Sequence, residues 1–66
     1  MKNIINQRIK ELREENNLSQ MALANACDIS QGKIARYELD KAEPRASDIV
    51  KLAEYFKVSA DYLLGL

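Results

Sequence analysis

Between Cys27 and Ser30 the chain leaves only Asp28 and Ile29, and on either side of that gap stand two short segments, QMALANAC and QGKIARYE. Each is preceded by a serine, Ser19 or Ser30, the residue type that best caps a helix N-terminus with its hydroxyl. Two helices joined so briefly have little freedom in how they cross, and their apolar residues must all fall on the shared side. Counted from Gln20, the inward positions are Leu23, Cys27, Ile29, Ile34 and Tyr37, with a small residue, Ala24, where the helices touch; each is filled by a suitable residue. Ala26 is read as a second small residue that permits close approach. Asp28 sits where the chain must reverse, and Asp tolerates positive φ better than most residues, at some cost.

The rest of the chain also reads as helix, because apolar residues recur at spacings of three and four and β-type alternation is missing. Ile5, Ile9 and Leu12 make the stripe of a first helix, which should stop near Asn16 and Asn17. After the second and third helices, LDKAEPR forms a loop closed by the only proline. A fourth helix presents Ile49, Leu52, Ala53 and Phe56, and Ser59 with Asp61 opens a short fifth carrying Tyr62 and Leu63. The expected architecture is therefore all-α, a compact five-helix bundle in a single domain over residues 1–66. A chain this short buries about 60% of its unfolded surface, so its stability should be modest.

Composition removes several classes of function. With no histidine and one cysteine, the usual zinc sets, histidine-based catalysis and internal disulfides are absent, so no metal, no cofactor and no enzymatic activity are expected. No apolar run approaches the roughly 18 residues that cross a membrane, and the opening MKNIINQRIKEL is too polar for a signal peptide. A cytoplasmic protein is the expectation. Ten basic and ten acidic side chains cancel, so affinity for a nucleic acid would have to come from where the charges stand.

Two short helices that cross at roughly 90 to 120° through a tight turn are a helix-turn-helix, whose second helix can enter a DNA major groove. From about Ile5 to Leu64, through RIKELREENNLSQMALA, ISQGKIARYE, the proline after the loop and LAEYFKVSADYLL, the chain resembles the Cro and phage-repressor type of helix-turn-helix, the XRE family of regulators. The resemblance implies a lambda-repressor-like bundle with the second and third helices as the motif. It also implies double-stranded DNA as partner, a homodimer at least on DNA, and regulation of transcription, often repression.

Carried onto this sequence, the resemblance puts Gln31, Gly32, Lys33 and Arg36 at recognition positions on the outward face of the third helix. Gln31 suits adenine and Arg36 suits the O6 and N7 of guanine, whereas Lys33 is as suited to phosphate as to base. Gly32 has no side chain with which to read a base, and its benefit would be close approach of the helix. Gln20 is implied as a phosphate ligand at a helix N-terminus, with Ser19, Ser30, Lys41 and Arg45 as further phosphate contacts. Asp40 stands where the family often has Gly, and Arg45 where Ser or Thr often caps the fourth helix. Arg13 and Glu38 match a structural ion pair that holds the recognition helix at its angle. Cys27 reads as a small apolar core residue. Val58, Tyr62, Leu64 and Leu66 are implied as dimer contacts, or else simply close the core. The function expected is a sequence-specific DNA-binding regulator, most simply a repressor on a palindromic operator. The alternative is a protein-interaction module, for a toxin or another regulator, built on the same fold.

Overall fold

A computed structural model describes residues 4–66, so residues 1–3 of the expected domain lie outside the described residues. Five helices follow in order: α1 (Ile4–Glu15), α2 (Gln20–Cys27), α3 (Gln31–Glu38), α4 (Ala46–Phe56) and α5 (Ala60–Leu64). Among the described residues there is no strand. The bundle is nearly isotropic, with principal extents of 26, 24 and 22 Å.

Serines define three of the starts. Ser19 accepts from the Ala22 N–H at 3.0 Å, Ser30 from the Lys33 N–H at 3.2 Å, and Ser59 from the Tyr62 N–H at 3.0 Å. Each hydroxyl satisfies a donor that the first turn leaves unpaired, worth about 1 kcal/mol against alanine. Arg45 holds the same place before α4 without a side-chain cap. Helix ends turn off through left-handed residues, Asn17, Asp28, Asp40 and Lys57 among them. Asp28, at φ 56°, lets its own N–H and that of Ile29 return to the Ala24 carbonyl. Gly65 ends α5 at φ 77°, and a Cβ there would come within 2.5 Å of Ile4 Cγ2, so glycine suits both the turn and the closure onto α1.

The centre of the core takes one residue from each helix: Ile9, Leu23, Ile34, Leu52 and Leu63 all have zero exposure. Burial of such side chains stabilises by about 1.5 to 3 kcal/mol apiece. Some apolar positions differ from the sequence reading. Ala26 is exposed while Ala24 is buried, so α2 uses one small residue at its contact. Ile49 and Phe56 are half-buried, and Tyr62 is exposed, whereas its neighbour on α5, Leu63, is fully buried.

Two polar residues join the core unannounced by periodicity. Asn6 is 1% exposed, and its Nδ2 donates to the Tyr37 carbonyl and, at 3.2 Å, to that of Ala42. It therefore ties α1 to the end of α3 and the loop beyond. Asp48, in the first turn of α4, accepts from the Tyr37 hydroxyl at 2.6 Å. Burial, and next this hydrogen bond, push the tyrosine hydroxyl above its ordinary pKa, so it remains a donor.

Candidate nucleic-acid interface

The outward side of α3 begins at Ser30, whose hydroxyl is engaged by the helix it caps. Gln31 and Lys33 are half-buried, whereas Gly32 and Arg36 are exposed. A Cβ placed on Gly32 would meet nothing within 4 Å. Packing within the chain therefore gives no reason for glycine there, although it costs up to about 1 kcal/mol in a helix relative to alanine.

Gln31 is held by a chain of hydrogen bonds that runs into the bundle. Its Nε2 donates to Gln20 Oε1 at 3.0 Å, and Gln20 Nε2 donates to Glu38 Oε1 at 3.1 Å. Glu38 in turn receives two bonds from Arg13, Nε to Oε2 at 2.6 Å and Nη2 to Oε1 at 2.9 Å, while Arg13 Nη1 donates to the Leu18 carbonyl at 2.8 Å. The side chains of Arg13 and Glu38 are 14% and 4% exposed. The hydrogen bond to Glu38, foremost, holds the Arg13 pKa above its ordinary value against the opposing effect of burial.

The direction of this chain follows from donor and acceptor chemistry. An ionised carboxylate only accepts, so Gln20 must turn its NH2 toward Glu38 and its carbonyl oxygen toward Gln31. Gln31 then commits one N–H inward and keeps an oxygen and a second N–H free of partners among the described residues. The ends of α2 and α3 thus present an amide whose polarity is set from the interior.

Other residues singled out in the sequence are distributed around this face. Lys33 Nζ lies 3.8 Å from Asp48 Oδ2. Lys41 and Arg45 are exposed in the loop after α3, where Asp40 at φ 58° lets the Lys41 N–H close onto the Arg36 carbonyl at 2.9 Å. Lys51, unremarked in the sequence, donates from α4 to the Asp28 carbonyl at 3.1 Å and so props the turn between α2 and α3. Cys27 is buried, and desolvation raises its thiol pKa, which favours the unreactive protonated form. At the far end Val58 is half-buried, while Tyr62, Leu64 and Leu66 are 44%, 40% and 87% exposed. The Arg8 guanidinium stacks 4.1 Å from the centre of the Tyr62 ring.

Residues 6–66 match the family model of the helix-turn-helix domain. This chain is a helix-turn-helix domain. Its fold is that of the phage-repressor type: the P22 c2 repressor in complex with a synthetic operator superposes on the helix-turn-helix domain with a TM-score of 0.85, at 28% identity over 92% of each chain. The solution structure of the DNA-binding domain of the same repressor also gives 0.85 at 28% identity, covering 97% of this domain and 86% of that one. Among curated proteins, the HTH-type transcriptional regulator ImmR of Bacillus subtilis (strain 168) is 33% identical over 61 residues, 92% of the helix-turn-helix domain and 48% of the regulator. An uncharacterised HTH-type regulator of the same organism, YobD, is 35% identical over 60 residues, 91% of this domain and 54% of YobD. The helix-turn-helix domain spans about half the length of these relatives.

Proposed function

We propose that the chain binds duplex DNA sequence-specifically with α3 in the major groove, as the DNA-binding part of a transcriptional repressor. The observation that carries this reading is the bonded chain from Gln31 through Gln20 to the Arg13–Glu38 pair. An amide left with one acceptor and one donor matches the N6 amino group and N7 of adenine. Fixing that amide before contact removes side-chain entropy that binding would otherwise cost. Arg36, exposed on the same helix, reads guanine, and Gly32 allows α3 to lie close to the base pairs. Gln20, Ser19, Ser30, Lys41 and Arg45 contact phosphates. Binding of a synthetic operator by the structurally similar P22 c2 repressor supports the reading. Two copies, paired through Val58, Tyr62, Leu64 and Leu66, would set their α3 helices about 34 Å apart along a palindrome.

Selection from a random pool of duplexes, followed by anisotropy titration at several salt concentrations, tests this directly. The expected result is an enriched palindrome with half-sites about one helical turn apart and an affinity that falls steeply with salt. A pool with no enrichment would refute DNA readout and leave the protein-interaction module as the function of the fold. Gly32→Ala adds a finer test. It should leave the melting temperature unchanged or raise it, by up to about 1 kcal/mol of stability, while weakening binding to the selected site. Undiminished binding would remove close approach as the reason for this glycine.

A further inference from the structure

On α3, Lys33 and Tyr37 are one turn apart and both reach the same oxygen of Asp48, the tyrosine hydroxyl at 2.6 Å and the lysine ammonium at 3.8 Å. The Asp48 side chain is 4% exposed and that of Lys33 is 35% exposed. A carboxylate so enclosed is poorly solvated and needs its partners. Among the described residues, Lys33 is its cationic partner. Lys33 is also the third residue of α3, within the N-terminal part of a recognition helix that comes nearest to DNA.

We propose that Asp48 withholds Lys33 from the nucleic acid, acting as an internal competitor for the phosphate that this lysine would otherwise neutralise. Asp48 is thus a positioning residue of the interface, and the inference rests on the DNA-binding reading. Its consequence is a lower overall affinity for DNA. A free lysine at this place would add affinity for every duplex alike, since phosphate contacts carry no sequence information. Tied to Asp48, it adds little, so every duplex is held more loosely while the contrast between sites rests on Gln31 and Arg36 either way.

The dependence of binding on salt reads this directly, because each phosphate neutralised by a cation steepens the slope of log K against log salt by about 0.9. Asp48→Asn keeps an oxygen to accept from Tyr37 but gives up the charge. In that variant the slope should steepen by about 0.9 per bound chain, with binding to the selected site and to unrelated duplexes strengthened by the same factor. Lys33→Gln in the native background should leave the slope unchanged. Asp48→Asn combined with Lys33→Gln should restore the native slope, which a general structural effect of the asparagine would not do. A slope unchanged by Asp48→Asn, or one lowered by Lys33→Gln alone, overturns the proposal. Should Asp48→Asn fail to fold, the Lys33→Gln slope still decides. A native chain that binds no duplex overturns the DNA reading and this inference with it, whereas a binding chain with an unresponsive slope overturns the inference alone.

Discussion

Arg13→Ala is expected to cost about 3 to 5 kcal/mol, because it strands the carboxylate of Glu38 in the bundle with Gln20 as its one remaining side-chain partner among the described residues. The side chain of Glu38 is 4% exposed and now receives two hydrogen bonds from the guanidinium. A domain of this size has a total stability of roughly 3 to 10 kcal/mol, so much of the variant population should be unfolded at room temperature. Denaturant titration followed by circular dichroism measures the loss. A midpoint shift worth less than about 1 kcal/mol would mean that Glu38 alone is effectively solvated, as exposed charges are. Joint replacement of both partners by leucine separates the two roles of the pair. A buried ion pair exchanged for apolar side chains is often nearly neutral in stability, so the double variant should fold. It would nevertheless leave Gln20 without its acceptor and Gln31 without a fixed amide, and it should bind the selected duplex more weakly than its stability suggests.

The readable part of this molecule is the local part. The limits of α2 and α3 follow from Ser19, Ser30 and the apolar spacing, each a signal within a few residues, and the left-handed turn at Asp28 follows from the same short range. Core membership by periodicity located Ile9, Leu23, Ile34, Leu52 and Leu63, because apolar burial imposes a repeat on the sequence. Asn6 and Asp48 escaped that reading. Both are polar, and what makes them acceptable inside is a partner elsewhere in the chain: Tyr37 and Ala42 for Asn6, and the Tyr37 hydroxyl for Asp48. The glutamines illustrate the same limit at the interface. Gln20 and Gln31 each mark a helix N-terminus in the sequence, yet their bond exists only because the crossing of α2 over α3 brings the two starts together. Lys33 shows the same limit in a charge. Its place on α3 suggests a DNA contact, and a residue fifteen positions later, Asp48, lies 3.8 Å from its ammonium.

Arg36→Ala should separate recognition from stability most sharply. Arg36 is exposed, and its side chain enters no ion pair among the described residues, so its removal should change stability by no more than about 0.5 kcal/mol. A bidentate contact to guanine contributes about 1 to 3 kcal/mol of discrimination, which is about 5- to 150-fold per half-site. In a dimer the loss recurs at each half-site, so affinity for the palindrome falls by up to the square of that factor. Repeating the selection with the variant should show one base position in each half-site relaxed and the others kept. Lys41→Ala provides the contrast: a phosphate ligand lost should weaken binding to all duplexes alike and flatten the salt slope by about 0.9 per chain. If Arg36→Ala binds the selected palindrome as tightly as the native chain, then α3 does not read guanine through this residue. The exposed face of α3 would in that case be better explained by contact with a protein.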